Sequence, residues 1–442
     1  MLVLQQKGKR MKFIIETYGC QMNVADSEMI SSIMENSGYE LTENLPEADI
    51  VMFNTCSVRQ HAEDRVIGRI SNEVARKLDN KNLLIGVVGC MAQRLGKELK
   101  ELNKKIDFVV GVDNYFQLPE IIEQLYHKKH FVHSVQMNHT EIYNEVYPVR
   151  SSQLNAFVTI MRGCNNFCSY CIVPYVRGRE RSRSVDEIVK EIRIAGDKGI
   201  KEVTLLGQNV NSYQWQDINF PKLLKEINQI ESIRRIRFVT SHPKDLSDEL
   251  IEVMAQSERI CEHIHLPVQS GNNEVLKRMN RNYTAEHYMN EIRKLRQAIP
   301  GISITTDVIA GFPGETEEQF MDTYRLMEEV RYDFAFMFKY STRTGTKAAD
   351  FTDQIEEAVR LDRLQRLIDL QTAITHEKYK EQIGQIKEVY VEGPSKKDES
   401  EYSGKSRDFK ITIFSGDESM VGQFVNVKVT EAAGWTLKGS II

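Results

Sequence analysis

The feature that most constrains the fold is a regular alternation of apolar and amphipathic segments in the middle of the chain. Six strand-length apolar segments cover residues 157–161, 202–206, 236–240, 264–268, 303–309 and 334–340. Helix-like segments separate them, including residues 185–198, 248–255, 274–279, 285–298 and 317–330. Parallel strands joined by crossover helices produce this pattern. The six units predict a partial TIM-type (β/α)6 barrel, with its chemistry at the carboxyl ends of the strands.

A similar alternation precedes the barrel. Strand candidates at residues 13–17, 50–54 and 84–88 alternate with helical patterns such as 25–37 and 62–78. This alternation predicts an N-terminal α/β domain built on a parallel sheet. A stretch rich in Lys, Asn and Tyr, roughly residues 127–150, is expected to link that domain to the barrel.

A different pattern follows the last barrel unit. Residues 355–382 predict one long charged amphipathic helix, and short alternating strands with turns follow from residue 383 (KEVYVEGP, FKITIFSG, QFVNVKVTEA). Such strands are typical of small all-β barrels, many of which bind oligonucleotides. Three domains are therefore expected: an N-terminal α/β domain (11–128), a central barrel with its linker helix (150–380) and a C-terminal all-β barrel (381–442).

Bulk properties exclude several classes of function. The 442 residues are 41% hydrophobic and 27% charged, which is typical of a globular protein and not of a disordered one. A net charge of −5 gives no global positive field, so charge alone argues against nucleic-acid binding, and any RNA contact must come from local basic patches. The longest apolar runs are strand-length, and the N-terminus lacks the apolar core of a secretory signal. We therefore expect a cytoplasmic monomer with no membrane partner.

Three of the seven cysteines lie in one short loop, GCNNFCSYC, directly after the first barrel strand. In a reducing compartment, closely spaced cysteines such as Cys164, Cys168 and Cys171 are more often metal ligands than disulfides. Three thiolates can each bind one iron of a four-iron cluster and leave the fourth iron open. An open position is typical of a catalytic metal site. A zinc loop or inert core cysteines are the alternatives, although zinc usually takes four closely spaced ligands.

Three more cysteines each follow a predicted strand of the N-terminal domain. Cys20, Cys56 and Cys90 are 36 and 34 residues apart, about one β–α unit in each case. Because parallel strands end at the same edge of a sheet, the three thiols are expected to emerge together. They again suggest a four-iron cluster with an open iron, and the alternative is that they are buried and inert. Cys261 stands alone and is expected to be a packed thiol.

The cysteine loop resembles that of the radical S-adenosylmethionine (SAM) superfamily. In that superfamily the amino and carboxylate groups of SAM chelate the open iron, and electron transfer cleaves SAM to a 5′-deoxyadenosyl radical. A three-cysteine domain before such a barrel, with a small β-barrel after it, is similar to the methylthiotransferases, whose C-terminal module is a TRAM domain. The resemblance covers nearly the whole chain from about residue 12, and the TRAM domain implies RNA binding.

Six motifs resemble those of the methylthiotransferases that act on N6-dimethylallyladenosine in tRNA. They are TYGCQMN (17–23), NTCSVR (54–59), GCNNFCSYC (163–171), LLGQNVNSY (205–213), TSHP (240–243) and HLPVQSG (265–271). At the first cysteine the sister branches tend instead to GCKVN, for threonylcarbamoyladenosine, or to GCPKN, for a ribosomal protein. The resemblance implies two [4Fe–4S] clusters, one on Cys20, Cys56 and Cys90 and one on Cys164, Cys168 and Cys171.

The resemblance also implies a reaction. This is methylthiolation of C2 of N6-dimethylallyladenosine at position 37 of tRNA, next to the anticodon. One SAM would donate a methyl group to a sulfur at the N-terminal cluster, and a second would give the radical that removes hydrogen from C2. The implied partners are the tRNA anticodon stem-loop and an external electron donor. The alternatives are methylthiolation of threonylcarbamoyladenosine, methylthiolation of a ribosomal-protein side chain, and a non-enzymatic iron–sulfur protein that binds RNA.

Further residues near the carboxyl ends of the barrel strands are expected to contact SAM or the target nucleoside. These are Gln208 and Asn209 after the second strand, Gln269 and Ser270 after the fourth, Gly311 in the GFPGET turn after the fifth, and Arg179 after the cysteine loop. Arg179 lies in VRGRERSRS, and at least one of its arginines (177, 179, 181 and 183) is expected to bind a phosphate or the SAM carboxylate. His242, His263 and His265 are expected to be hydrogen-bonded structural residues.

The C-terminal module combines cations with aromatic rings, which suits RNA. The residues are Lys396, Lys397, Lys405, Arg407, Lys410, Tyr402 and Phe409. A charged loop on a barrel is the plainer interpretation, and acidic residues at 398, 399 and 401 dilute the patch. RNA binding by this module is expected mainly because of the TRAM resemblance.

Overall fold

The computed structural model describes residues 10–57, 60–128, 130–138, 140–396 and 398–442. Val58 and Arg59 of the NTCSVR motif and Lys397 of the C-terminal module lie outside these ranges. None of the helices in the described part of the chain is long and apolar enough to cross a membrane. The parallel α/β sheet, the partial barrel and the small closed β-barrel are all present, which confirms the predicted fold class.

The N-terminal part is a six-stranded parallel sheet with strand order β2-β1-β3-β4-β5-β6. Its strands are β1 (Lys12–Tyr18), β2 (Glu40–Leu41), β3 (Ile50–Thr55), β4 (Leu84–Gly89), β5 (Phe108–Val110) and β6 (Val132–Ser134). Its helices are α1 (Gln21–Asn36), α2 (Gln60–Asp79), α3 (Cys90–Leu95), α4 (Glu98–Leu102) and α5 (Leu118–His127). Strands β3 and β4 are buried along their whole length, as is usual in the middle of a parallel sheet with helices on both faces.

The edge strand β6 lies in the stretch that the sequence predicts to be a linker. It pairs in parallel with β5, so this part of the linker prediction is wrong. The strand has only three residues, half-exposed or exposed, and a segment of that length leaves no recognisable periodicity.

The central part contains the six predicted wall strands as successive neighbours. They form two parallel sheets, β7-β10-β13 and β14-β15-β16, that a parallel bridge between Ile236 and Ile260 connects. The wall strands are β7 (Asn155–Thr159), β10 (Glu202–Leu206), β13 (Arg235–Phe238), β14 (His263–His265), β15 (Ser303–Ala310) and β16 (Phe334–Lys339). Two short antiparallel pairs complete the strands: β8 (Met161–Arg162) with β9 (Arg181–Ser182), and β11 (Gln214–Trp215) with β12 (Ile218–Asn219). The barrel is therefore partial, with β7 and β16 at its open edges.

Helices cover the outer face of this wall. They are α7 (Val185–Asp197), α8 (Phe220–Asn228), α9 (Asp248–Gln256), α10 (Asn273–Arg278), α11 (Ala285–Ala298), α12 (Glu317–Val330) and the long α13 (Glu357–Lys380). The short helix α6 (Val173–Arg177) packs instead against α3 of the N-terminal part. Ser or Thr caps the amino ends of several of the outer helices; for example, the side chain of Ser184 accepts a hydrogen bond from the backbone of Glu187 at the start of α7. Alternate strand residues such as Val203 and Leu205 pack under these helices in one large apolar core.

The C-terminal part is a closed five-stranded barrel with strand order β17-β18-β19-β21-β20. Its strands are β17 (Ile386–Pro394), β18 (Glu401–Ser406), β19 (Ile411–Ser415), β20 (Phe424–Ala433) and β21 (Thr436–Ile441). Closure leaves no free edge strand. A module of this size therefore needs only a small apolar interior. That interior includes Val389, Val391, Phe414 and Val427.

The C-terminal barrel packs against the amino ends of the central strands. Arg235 of β13 is fully buried and donates to the Glu388 carboxylate of β17 at 2.7 Å. Two residues further on, Arg237 donates to the backbone carbonyl of Ser406 at 2.8 Å. Buried guanidinium groups are costly unless they are paired and hydrogen-bonded. The central barrel therefore relies on the C-terminal module to satisfy charges in its own interior.

Candidate active site

The three N-terminal cysteines lie together at one edge of the sheet. In the parallel register Tyr18 faces Thr55, and Thr55 faces Gly89, so the three neighbouring strands β1, β3 and β4 end level with one another. Cys20, Cys56 and Cys90 follow these ends, as the sequence predicts. A hydrogen bond from the Cys56 thiol, with the nearby charge of Arg177, lowers the pKa of Cys20 to about 6.

Two asparagines from the surrounding motifs form hydrogen bonds that stabilise the backbone beside the three cysteines. The side-chain amide of Asn23 donates to the side-chain oxygen of Asn54 at 3.1 Å, and Asn54 donates to the backbone carbonyl of Asn23 at 2.8 Å. Both asparagines are fully buried. Gly89 has a φ of +90°, and a Cβ there would lie 2.3 Å from the side-chain oxygen of Asn54. The chain before Cys90 can therefore pass close to this pair only because residue 89 is glycine.

The barrel cysteine loop sits between the short strands β8 and β9. The backbone N–H of Cys164 donates to the carbonyl of Gly178 at 3.1 Å, and that of Cys171 donates to the carbonyl of Cys168 at 2.9 Å. The guanidinium of Arg281 lies 3.5 Å from the Cys168 sulfur. Burial raises the pKa of Cys164 to about 11 and that of Cys171 to about 12, with proximity to Cys168 acting in the same direction. Bound metal reverses this preference, because a metal ligates the thiolate and releases the proton.

The described residues contain no group of three or more His, Cys, Asp or Glu side chains arranged to hold a single metal ion. A four-iron cluster requires a wider spacing of its ligands, because each thiolate bonds a different iron. Cys261, by contrast, is buried near Arg237 at the amino end of the barrel wall, away from both groups, as expected of a packed thiol.

The residues that follow strands β10 and β13 carry four buried polar atoms that have no hydrogen-bond partner in the described structure. They are Oε1 of Gln208, Oδ1 of Asn209, Oγ of Ser241 and Nε2 of His242. A buried polar atom left unsatisfied costs about 1–3 kcal/mol, so an ordered water or a polar ligand would complete these four atoms. The sequence predicts Gln208 and Asn209 as contacts. It gives Ser241 no role and predicts His242 as a structural residue, although the motif TSHP at the end of the third strand marks their position.

The protonation of His242 follows from its surroundings. Burial, with the nearby charge of Arg281, lowers the pKa of His242 to about 2, so the ring is neutral at ordinary pH. The backbone N–H of Lys244 donates to Nδ1 at 3.3 Å, which leaves the proton on Nε2. His242 therefore offers a hydrogen-bond donor, whereas Gln208 and Asn209 offer acceptors. His263 and His265 both contact the Thr305 hydroxyl, at 3.1 and 3.0 Å, as expected of structural histidines.

The other predicted contacts take part in local structure. Gln269 has a φ of +67°, and its backbone N–H donates to the carbonyl of Asp307 at 2.9 Å. Ser270 is fully buried, with its hydroxyl 3.2 Å from that of Thr323. Gly311 donates its N–H to the Glu315 carboxylate at 2.8 Å. Contact of these residues with a ligand stays a prediction.

The arginines of VRGRERSRS divide into two groups. Arg177, Arg181 and Arg183 pair with Asp26, Asp113 and Glu191 at 2.7, 3.0 and 2.6 Å. Two of these carboxylates belong to the N-terminal domain, so the segment fastens that domain to the barrel. Arg179 is exposed, lies 5.4 Å from the Phe167 ring, and makes no ion pair within the described ranges. It is the member of the segment that is available for an anionic ligand.

Three of the basic and aromatic residues predicted to bind RNA face the central barrel. Arg407 pairs with Glu262 at 2.7 Å, and Lys410 is buried against Asp333 at 3.0 Å. Phe409 stacks on His263 with ring centroids 4.6 Å apart. Lys410 is 3% exposed, so the expectation that it binds RNA is wrong. RNA binding by Arg407, which is held by its ion pair, and by Phe409, which is 39% exposed, stays a prediction. The sequence shows their charge and aromaticity but not the surface against which they pack.

Among the remaining residues of that set, Lys405 pairs with Glu392 at 2.8 Å and Tyr402 is buried in the module's core. Lys396 is exposed. The basic patch predicted from the sequence is thus reduced to one free lysine among the described residues of the set.

An aromatic surface instead runs from the C-terminal module along the open edge of the barrel. It consists of Phe334, Phe336 and Phe338, which alternate along β16, together with Trp435 of the β20–β21 turn. Phe334 lies 4.8 Å from Phe336 and 5.5 Å from Trp435 between ring centroids. Phe336, Phe338 and Trp435 are 44%, 39% and 43% exposed. We call these four residues the aromatic stripe.

Comparison with known proteins gives the class of the fold and its sites. Residues 158–327 match the Radical SAM superfamily, residues 12–111 match the Uncharacterized protein family UPF0004, and residues 380–442 match the TRAM domain. A solved radical S-adenosylmethionine methyltransferase from Kitasatospora setae superimposes with a TM-score of 0.60 over 77% of each chain, at 15% identity. A solved cobalamin-dependent S-adenosylmethionine radical enzyme, OxsB, gives a TM-score of 0.54 over 82% of this chain and 56% of its own, at 14% identity. At these identities the structures show the fold.

Curated relatives that match this chain over its full length identify its family within that superfamily. A tRNA-2-methylthio-N(6)-dimethylallyladenosine synthase from Thermoanaerobacter sp. (strain X514) is 50% identical over 443 residues, covering 99% of this chain and 94% of its own. A synthase of the same name from Alkaliphilus oremlandii (strain OhILAs) is 46% identical, covering 100% and 95%. The chain belongs to the family of tRNA-2-methylthio-N(6)-dimethylallyladenosine synthases, as the resemblance of its motifs predicts.

Proposed function

We propose that this protein methylthiolates C2 of N6-dimethylallyladenosine at position 37 of tRNA, with two [4Fe–4S] clusters and SAM. The observation that carries the proposal is a contact between the segment that follows the barrel cysteine loop and the N-terminal cysteine group. Arg177, six residues after Cys171, donates to the sulfur of Cys90 at 3.2 Å. A radical source and a sulfur-delivering site must both reach one base, and this contact supports a common site for them.

Cys164, Cys168 and Cys171 would hold the first cluster, and Cys20, Cys56 and Cys90 the second. When bound, the clusters supply the electron that cleaves SAM and the site at which a sulfur is methylated. The protein supplies the donor set and its surroundings. Arg281 points at the Cys168 sulfur, and its own Nη2 donates to the carbonyl of Pro267 at 2.9 Å, so it is held in place from the barrel side.

SAM would bind at the polar group that follows β10 and β13. The free acceptors of Gln208 and Asn209 suit the ammonium of an amino acid, and the Nε2–H of His242 suits a carboxylate or hydroxyl oxygen. Asn209 is held by its amide, which donates to Asp245 at 2.7 Å and leaves Oδ1 directed away. Arg179, Gln269, Ser270 and Gly311 are proposed as further contacts with SAM or the nucleoside.

The RNA would bind along the aromatic stripe. Single-stranded RNA is recognised largely by stacking of unpaired bases on aromatic side chains, and a target base must leave its stack to enter a pocket. The stripe extends from the C-terminal module toward the carboxyl end of β16, the end where the barrel chemistry lies. Three exposed aromatic side chains in one row are also unusual on a surface with no binding role.

The stripe has a direct test. The chain contains two tryptophans, Trp215 and Trp435, so Trp215→Phe leaves Trp435 as the only indole emitter. Adding an anticodon stem-loop RNA should quench this emission, and a blunt RNA duplex should not. The matched variant Trp435→Phe, which keeps Trp215, should show no such quenching. Equal quenching by the duplex, or none by the stem-loop, would remove the stripe as the RNA surface.

The reaction itself is tested with anaerobically reconstituted protein, SAM, a strong one-electron reductant and tRNA bearing N6-dimethylallyladenosine. The expected products are 5′-deoxyadenosine and the 2-methylthio nucleoside, both measured by liquid chromatography and mass spectrometry. Parallel reactions with threonylcarbamoyladenosine-bearing tRNA and with ribosomal proteins test the two sister activities. Product from either of these, and none from the first tRNA, would refute the assigned substrate.

We also propose that the enzyme acts as a cytoplasmic monomer that receives electrons from an external electron donor. One chain already contains both cysteine groups and the RNA surface, so the proposed chemistry needs no second copy. Sedimentation of the reconstituted protein with and without tRNA measures the oligomeric state.

A further inference from the structure

One side chain of the barrel domain reaches into the N-terminal cysteine site. Arg177 is the last residue of α6, the short helix that begins two residues after Cys171. Its Nε donates to the Cys90 sulfur at 3.2 Å, and its Nη2 donates to the Asp26 carboxylate at 2.7 Å. The residue is 3% exposed. A guanidinium from one domain is thus fixed against a thiol of the other.

A second arginine shares the same carboxylate and provides an internal comparison. Arg162 donates to the other oxygen of Asp26 at 2.7 Å, and its guanidinium lies 4.7 Å from the Tyr143 ring. Arg162 and Asp26 are 2% and 0% exposed. The two arginines therefore match in burial and in carboxylate partner. They differ in that Arg177 bonds a cysteine sulfur in this structure, while Arg162 faces an aromatic ring.

The buried charges of this group do not cancel. Two guanidinium groups surround one carboxylate, which leaves an excess of one positive charge beside Cys90. The Nη1 atom of Arg177 is buried and has no partner within the described structure, so a further hydrogen bond is open to it. Sulfur ligands and sulfides of a cluster are acceptors, and a cationic donor satisfies them better than a neutral one. The surroundings of Arg177 therefore fit a negatively charged sulfur centre.

We propose that Arg177 is a positioning residue that donates hydrogen bonds to the Cys90 ligand of the N-terminal cluster and raises the reduction potential of that cluster. The inference rests on the proposed function, which assigns a cluster to Cys20, Cys56 and Cys90. Reduction adds one negative charge to a cluster, and hydrogen bonds to the sulfurs, together with net charge, set the potential of such centres. A buried guanidinium stabilises the reduced form more than the oxidised one, because little water is present to screen its charge.

The test is a redox titration of the full-length protein carrying Cys164→Ala, Cys168→Ala and Cys171→Ala, so that only the N-terminal cluster contributes. The electron paramagnetic resonance signal of the reduced cluster is followed against solution potential. Arg177→Gln should lower the ratio of reduced to oxidised cluster at a fixed potential by about tenfold, which is a shift of about 59 mV for one electron. Arg162→Gln removes a guanidinium from the same carboxylate and should shift the potential much less. Arg177→Lys keeps the positive charge, so its reduction potential should lie between that of Arg177→Gln and that of the protein with Arg177 intact.

The outcomes separate the inference from the proposed function. Equal shifts in Arg177→Gln and Arg162→Gln, or no shift in Arg177→Gln, would overturn the role of Arg177 while the cluster assignment stands. If the Arg177→Gln protein loses its cluster, the Arg177→Lys protein is measured instead. A reduction potential below that of the protein with Arg177 intact supports the inference, and an equal reduction potential overturns it. A parent protein that binds no iron contradicts the cluster assignment itself, and the inference falls with it.

Discussion

The barrel cysteine site is local in sequence, whereas the N-terminal one is assembled from strands that lie far apart in the chain. Cys164, Cys168 and Cys171 share one loop, and backbone hydrogen bonds within and beside that loop shape it. Cys20, Cys56 and Cys90 come together only through the register of β1, β3 and β4. The second site also depends on another domain, because Arg177 and Arg162 enter it from the barrel side.

Because of this difference, the two sites are expected to be disrupted by different kinds of substitution. A local loop site is lost when its ligands are lost. A site assembled from strand ends and a domain interface is also lost when the interface is disturbed, even if every ligand is present. Buried ion pairs make this dependence strong, since removal of one partner leaves an uncompensated charge.

The largest expected effect comes from the ligands themselves. Changing Cys164, Cys168 and Cys171 together to Ala should abolish 5′-deoxyadenosine formation. Changing Cys20, Cys56 and Cys90 together should abolish the methylthio product but leave deoxyadenosine formation, because the barrel ligands lie in another domain. Both products are measured by mass spectrometry, with iron content as the check on each remaining cluster. Methylthiolated tRNA from the N-terminal triple variant would show that the sulfur arrives by another route.

Cys261 is the matched control for these variants. It is buried and lies outside both groups, so Cys261→Ala should leave the iron content unchanged. Iron loss in this variant would mean that the ligands are misassigned.

Removal of residues 381–442 should disturb the barrel site although the cysteine loop is untouched. Truncation leaves the buried Arg235 and Arg237 without their partners in the C-terminal module, and it removes the Phe409 ring that stacks on His263. Loss of one partner of a buried ion pair typically costs about 3–5 kcal/mol. The truncated protein should therefore unfold at a lower temperature and cleave SAM poorly. Wild-type stability and SAM cleavage would show that the barrel is independent of this module.

Asp26→Asn should destabilise the protein through the N-terminal site. The change leaves two buried guanidinium groups facing a neutral amide, with an expected cost of about 3–5 kcal/mol. Thermal unfolding of the full-length protein measures it. Asp248→Asn is the control, because Asp248 pairs with Lys294 at an exposed site and should change stability by less than about 1 kcal/mol. Equal effects of the two substitutions would remove the special role given to Asp26.

The smallest effect is expected at the polar group beside the barrel loop. Gln208→Leu removes a buried acceptor that has no partner among the described residues, so the unliganded protein should be as stable as the parent or more stable. SAM affinity should fall about tenfold, which corresponds to about 1.4 kcal/mol. Equilibrium binding and thermal unfolding of the same samples provide both measurements. The surface change Gln214→Leu should alter neither quantity, and weaker SAM binding by that control variant would point to a nonspecific effect.

Much of the fold could be predicted because the relevant signals are local. Strand β10 begins and ends at the predicted residues 202 and 206, and helices α11 and α12 match residues 285–298 and 317–330. Strand β6 could not be predicted, since three residues with mixed burial have no periodicity to read. The cysteine groups could be predicted because parallel strands must end at one edge, which makes spacing in sequence a guide to position in space.

What the sequence by itself determined is therefore the order of the strands and helices, the two cysteine groups and the family of the chain. The tertiary structure alone decided which charged residues face a partner domain. From the sequence Arg177, Arg407 and Lys410 are expected to be free cations, yet they form ion pairs with Asp26, Glu262 and Asp333. The physical reason is that strand and helix patterns follow from neighbours a few residues away, whereas the partner of a charged side chain can lie more than a hundred residues distant, as Asp26 does from Arg177.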